Sequence, residues 1–188
     1  MTAYLLWKCL MYGWIAMEVA IAFGTRTWRG QGTLHDRGTQ IMLWVLIFAS
    51  FFAAGWLALP AADMHGSHNA LRWTGLALLI AGLAVRITAI VTLGRAFSAN
   101  VAIRAEQKVQ QSGPYRLVRH PSYLGMELIF VAAGLHAHNW ISLGILLILP
   151  TLGVLARIHV EEAALLGAFG EEYADYMRAT KRLIPGVY

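Results

Sequence analysis

Charge is what this sequence has least of. Only 13% of its 188 residues are Asp, Glu, Lys or Arg, while 58% are apolar, and that is about half the charged share of a soluble domain. Such a chain has too little polar surface to cover itself in water, which excludes a water-soluble globule. Cysteine is nearly missing too. Cys9 alone excludes an internal disulfide and any multi-cysteine metal site, and leaves the redox compartment unread. Neither GxGxxG nor a P-loop occurs, so no soluble-type nucleotide fingerprint is present. The net charge of +5 does not make a nucleic-acid face, because the arginines sit in particular loops rather than across one basic surface with aromatics.

What is present is a series of apolar runs near 20 residues. At 1.5 Å per helical residue that length crosses a hydrocarbon core of about 30 Å. The runs predict an all-α, polytopic membrane helical bundle, a single domain over 1–188, with about five transmembrane helices at 3–24, 39–59, 70–93, 121–137 and 140–160. Ala20-Ile21-Ala22 resembles a signal-peptide cleavage site, but the first segment is expected to be retained as a span. Only His138-Asn139 separates the last two spans, which predicts a tight antiparallel hairpin, and Pro150 is expected to bend the fifth. Leu165, Phe169, Tyr173 and Tyr176 recur at helical spacing and predict an amphipathic tail over 161–178. Gly75, Ala77, Ala81 and Gly82 suit close helix packing. Trp7, Trp28 and Trp140 suit interfacial anchoring.

Loop charge orients the bundle, since cytoplasmic loops carry the excess of Lys and Arg. Segments 25–38 and 94–120 are basic, through Arg26, Arg29, Arg37, Arg95, Arg104, Lys108, Arg116 and Arg119, whereas 60–69 and 138–139 have no Lys or Arg. The expected topology has the N-terminus outside and the C-terminus in the cytoplasm, in an inner or plasma membrane. Three intramembrane charges then fall at one depth in the cytoplasmic leaflet: Glu18, Arg86 and Glu127. Such groups are costly and seldom idle. They read either as a structural ion pair, Glu18 or Glu127 with Arg86, or as the floor of a substrate cavity open to the cytoplasm, and the two are compatible.

The stretch GPYRLVRHPSYLG at 113–125 is the focus of the chain. Gly113-Pro114 signals a turn, and Pro121 suits the first turn of a helix, where its missing N–H costs nothing. Tyr115, Arg116, Arg119 and His120 are thereby delivered to the inner membrane face beside a helix N-terminus, a place suited to an anionic group. Physically the same residues also satisfy a positive-inside stop with an interfacial tyrosine. At the inner end of the fifth span, Arg157 and Glu161 share a helical face while Glu162 points about 100° away. Alone, that pair is a surface contact worth well under ~1 kcal/mol.

GPYRLVRHPSYLG, an apolar hairpin, Arg157-x-x-x-Glu161-Glu162, Phe169-Gly170-Glu171-Glu172-Tyr173-x-x-Tyr176 and Arg182-Leu183-Ile184-Pro185 follow one another. In order and spacing this resembles the isoprenylcysteine carboxyl methyltransferase family, over 94–188, in the compact form of its smaller prokaryotic relatives. The resemblance implies an enzyme moving the methyl group of S-adenosylmethionine, with S-adenosylhomocysteine as product, to a lipophilic or lipidated acceptor at the cytoplasmic face. It implies a cofactor pocket built by the segment after the third span and the C-terminal tail: Tyr115, His120, Pro121 and Tyr123 around the cofactor, Arg119 and Arg182 in support, and Arg157 with Glu161 as the catalytic pair. His120 is expected as a cofactor contact rather than a general base, because a carboxylate acceptor is already ionised.

Other acceptors fit the same superfamily. A phospholipid or amine N-methyltransferase, or a thiol S-methyltransferase, would need a base such as Glu161 or His120. A non-catalytic scaffold or small transporter is the reading from another class, but transporters place polar groups at the midplane and show repeats, and here no repeat occurs. His65 with His68 and His136 with His138 have metal-compatible spacing but no completing carboxylate or cysteine, so no metal is expected. Membrane lipids are the expected surroundings and nucleic acid is not an expected partner. No feature of the sequence bears on oligomeric state.

Overall fold

Five α-helices carry the apolar runs and a short amphipathic sixth follows them in a computed structural model that describes residues 2–24, 33–34, 38–97, 102–103 and 108–188. They are α1 (Thr2–Gly24), α2 (Thr39–Trp56), α3 (His68–Leu93), α4 (Pro121–His136), α5 (Trp140–Phe169) and α6 (Glu171–Ala179). Two short strands, β1 (Thr33–Leu34) and β2 (Ala102–Ile103), pair antiparallel, Thr33 opposite Ile103. They tie the link after α1 to the segment after α3. Arg26, Trp28, Arg29, Asp36, Arg37, Arg104 and Glu106 lie outside the described residues, and with them half of the basic residues that orient the chain.

Four helices among the described residues, α1, α2, α3 and α5, are long and apolar enough to cross a membrane. The fourth expected span, α4, is different. Its 16 residues reach only about 24 Å, short of the hydrocarbon thickness. Burial in protein explains how so short a helix is accommodated. Met126, Ile129, Phe130, Ala132 and Ala133 are all buried, packed between α3 and α5, so α4 faces neighbouring helices more than lipid and need not match the bilayer alone.

Glycine makes that packing possible. A Cβ on Gly82 would lie 2.7 Å from the Gly125 carbonyl oxygen, and one on Gly125 2.8 Å from the Arg86 backbone nitrogen, so α3 and α4 touch backbone to backbone at this level. Gly75 likewise faces the Ala132 carbonyl. Ala77 and Ala81 differ from expectation. Both are exposed, because the contact follows Gly75, Gly82 and Arg86 along one stripe, and those alanines lie off it. Trp7 is also no interfacial anchor: it is buried and stacks on His136 at a ring separation of 3.9 Å.

The hairpin after α4 forms where expected. Asn139 caps α5 by accepting from the Ile141 and Ser142 amides, and its Nδ2 donates to Leu59 O and Asp63 Oδ1, so the two loops at this end are latched together. At its other end α5 runs past the expected limit of 160 to Phe169. Nothing in 151–169 breaks a helix, and the chain turns only at Gly170, whose φ of 54° suits a residue without Cβ. The expected amphipathic tail is thus split between the end of α5 and a separate α6. Thirty residues of α5 reach about 45 Å, so its last turns, with Arg157, Glu161 and Glu162, project toward the level where α4 begins.

Candidate active site

Residues 113–125 are held in place by the C-terminal tail. Gly113–Arg116 forms a 3-10 turn whose Tyr115 is buried, its hydroxyl donating to Ala89 O at 3.3 Å and its carbonyl accepting from the Tyr176 hydroxyl at 2.7 Å. The next residues run beside the tail: Arg119 N donates to Lys181 O and His120 N to Arg182 O, at 2.8 and 3.0 Å. His120 then stands at the N-cap of α4, with Pro121 at the helix start.

Glu162 is the hub beneath this segment. Its Oε1 accepts from Arg119 Nε at 2.8 Å and lies 3.2 Å from His120 Nε2, while its Oε2 accepts from Arg182 Nε at 2.9 Å. Arg119 also donates through Nη1 to Met177 O and Thr180 O. One buried carboxylate therefore joins the motif, α5 and the tail. Sequence reasoning missed it, because a helix ended near 160 leaves Glu162 solvated. Read as part of a helix continuing to Gly170, an acid so placed needs partners, and three basic residues supply them.

A second set sits one turn earlier on α5. Tyr123 Oη accepts from Arg157 Nε at 2.8 Å and donates to Glu161 Oε2 at 3.0 Å, and Arg157 Nη1 reaches Thr39 Oγ1 at 3.4 Å. Arg157 and Glu161 thus share a helical face as their spacing predicts, but a tyrosine from α4 stands between them. A third set closes the far side. Arg86 pairs with Glu18 through Nε and Nη2, and its Nη1 donates to Ser122 Oγ at 2.8 Å.

These sets border one cavity, lined by Glu18, Arg86, Tyr115, Arg119, His120, Ser122, Tyr123, Arg157 and Glu161. Apolar side chains from α1, α2 and α5, including Ile21, Leu43, Trp44, Leu165 and Phe169, complete it beside Tyr173 and Tyr176. The lining thus mixes charged and phenolic groups from α3, α4, α5 and α6 with apolar side chains from α1, α2 and α5, and α1 adds the carboxylate of Glu18. Burial, then the Glu161 charge, raises Tyr115 above the ordinary phenol range, and burial pushes Tyr176 up to about 12. Tyr173 is raised in the same sense, by burial and then by Glu162. All three are therefore neutral hydrogen-bonding phenols near neutral pH.

The remaining expected residues lie around this chamber rather than in it. Pro121 is buried at the first position of α4 and does not line the cavity. Arg182 braces Glu162 from outside and donates to the Tyr188 hydroxyl at 2.8 Å. Of the two acids weighed as partners of Arg86, Glu18 takes that place. Glu127 lies elsewhere, its Oε2 accepting from Thr151 Oγ1 at 2.9 Å and its Oε1 without a hydrogen-bond partner among the described residues. Tyr173, Tyr176 and Ser122 join the site unanticipated, the tyrosines having been read as tail packing.

Comparison with known proteins bears on the same region. Residues 75–167 match the model of the isoprenylcysteine carboxyl methyltransferase family. Protein-S-isoprenylcysteine O-methyltransferase B of Arabidopsis thaliana is 34% identical over 115 residues, covering 60% of this chain and 58% of that protein. The Dictyostelium discoideum protein-S-isoprenylcysteine O-methyltransferase is 26% identical over 187 residues, 98% of this chain and 77% of its own. A solved eukaryotic intramembrane Ras methyltransferase, isoprenylcysteine carboxyl methyltransferase, superposes with a TM-score of 0.58 at 26% identity, covering 79% of this chain and 51% of that one. The chain thus spans little more than half the length of the Arabidopsis relative and of the solved structure.

Proposed function

From the match of residues 75–167 to the isoprenylcysteine carboxyl methyltransferase family we propose that the chain is a member of that family and transfers the methyl group of S-adenosylmethionine to the carboxylate of an isoprenylcysteine-like lipophilic acceptor. The observation that carries the reading is the Arg157–Tyr123–Glu161 set facing a cavity lined by both charged groups and apolar side chains. A methyl donor and a lipid-bearing acceptor need such a mixed lining.

The donor set suits the cofactor. Tyr115, Tyr173 and Tyr176 offer aromatic faces for a purine, while Arg119 and His120 at the head of α4 suit a carboxylate. S-adenosylmethionine supplies a methyl group on a positively charged sulfur that leaves readily. The protein's share is alignment and exclusion of water, which supply most of the rate in such a transfer. Arg157 pairs with and orients the acceptor carboxylate. Glu161 holds Arg157 through Tyr123 and offers negative charge to the sulfonium. No general base is required, because the acceptor oxygen is already ionised near neutral pH.

The distribution of basic residues in 25–38 and 94–120 supports a cytoplasmic site, with the N-terminus outside. The test is calorimetric titration of S-adenosylhomocysteine into detergent-purified protein, beside His120→Ala and Tyr123→Ala, followed by methyl transfer to an isoprenylcysteine. Saturable binding weakened in both variants, with transfer abolished by Arg157→Ala, is expected. Absence of binding to the wild type would overturn the assignment.

A further inference from the structure

Glu18 and Arg86 form a buried ion pair on the cavity wall, 3% and 5% exposed. The Arg86 guanidinium is almost fully used. Nε and Nη2 donate to the two Glu18 oxygens, and Nη1 donates to Ser122 Oγ at 2.8 Å and to the Ser122 carbonyl at 3.2 Å. These contacts engage all three nitrogens of the guanidinium. Its Nε–Nη2 edge is taken by Glu18 and its Nη1 by Ser122, so no edge is left open to take an incoming carboxylate in the two-pronged way that makes arginine a strong anion receptor.

Displacing Glu18 is no easier route. Trp14 Nε1 donates to Glu18 Oε1 at 3.0 Å, fixing the carboxylate from its own helix. An acceptor that took its place on Arg86 would strand a buried, uncompensated charge. Resting on the reading of the cavity as the methyl-transfer chamber, we infer that Glu18 is the residue that sets acceptor selectivity here: by holding Arg86, it removes that cation as a carboxylate receptor and leaves the anionic head of the acceptor to the Arg157 end. Glu18 lies on α1, outside the matched residues 75–167, so this is a contribution of the N-terminal helix of this chain to a site whose Arg86, Ser122, Tyr123, Arg157 and Glu161 lie within them. It acts through Arg86 and is a positioning residue.

The test compares two ligands differing only in head charge, a farnesyl thioether carrying a carboxylate and its primary amide. Each is titrated into the detergent-purified full chain, with binding followed by tryptophan fluorescence, since Trp44 lines the cavity. Glu18→Gln keeps the shape but leaves the Arg86 charge unbalanced, and the acid-to-amide preference should rise by about tenfold over wild type. The double variant Glu18→Gln/Arg86→Gln should return it to the wild-type value. An unchanged ratio in Glu18→Gln would overturn the inference.

Should Glu18→Gln fail to fold, the neutral double variant decides alone. If Arg86 were the acceptor's anchor, that variant would lose its preference for the acid, whereas here it should match wild type. S-adenosylhomocysteine titration of the same preparations separates the two ideas. Failure of the wild type to bind it overturns the methyltransferase reading, while the acid-to-amide comparison still reports on Glu18.

Discussion

The Tyr123 hydroxyl accepts a hydrogen bond from Arg157 Nε at 2.8 Å, which places a neutral group from α4 directly on the cation proposed to orient the acceptor. The same hydroxyl donates to Glu161 at 3.0 Å. It links the two side chains, and without it the fork of Arg157 loses a fixed edge.

Tyr123→Phe is therefore expected to lower kcat by about tenfold to a hundredfold, through loss of orientation rather than loss of a reacting group. S-adenosylhomocysteine affinity should change by much less, because the ring remains. Steady-state kinetics beside calorimetry separates the two effects, and an unchanged kcat would remove Tyr123 from the positioning set.

Glu162 carries a structural load that its neighbour does not. It answers Arg119, His120 and Arg182 together, so Glu162→Ala leaves buried positive charge without compensation and should cost about 3 kcal/mol or more. Glu161→Ala removes a carboxylate bonded to one hydroxyl and should cost about 1 kcal/mol. Thermal unfolding of the two variants in one detergent checks the order, which adjacency in sequence would not suggest.

Much of this arrangement is legible in the sequence. Apolar runs give helix positions because the bilayer fixes their length, and Pro121 and Asn139 mark helix starts by what their side chains can and cannot do. Glu162 escapes notice for a definite reason: its meaning depends on whether α5 stops near 160 or runs unbroken to Phe169, and helical spacing over 161–178 does not say which. Glu18 as the partner of Arg86 was legible only as one of two options. Depth along a span is readable from residue count, but the face that each helix turns inward is a property of the packed bundle.

The Gly82–Gly125 crossing makes a sharper prediction about packing. A Cβ at 125 would stand 2.7 Å from Gly82 O and 2.8 Å from both Arg86 N and Arg86 Cβ, so Gly125→Ala must push α3 and α4 apart. A loss of about 1–3 kcal/mol is expected, with a drop in cofactor affinity because α4 carries His120 and Tyr123. Gly144→Ala is the control. Nothing lies within 4 Å of its added methyl, and helix propensity alone should make it neutral or stabilising by up to about 1 kcal/mol.

At the opposite end of the bundle, His138 gives the fold a pH dependence unrelated to catalysis. Burial first, then the charges of His68 and Arg72, lower it below its ordinary value of 6.5, against opposing contributions from the His68 backbone and Asp63. Between the depressed folded value and 6.5 the unfolded chain binds the proton more readily, so stability falls as pH is lowered through this window and is regained above it. His138→Asn should flatten that part of the profile, because asparagine tolerates the φ of 54° at this position without a titrating ring. Melting temperatures at pH 5 and pH 8 for both proteins make the comparison, and an equal pH difference in the two would assign the dependence to another group.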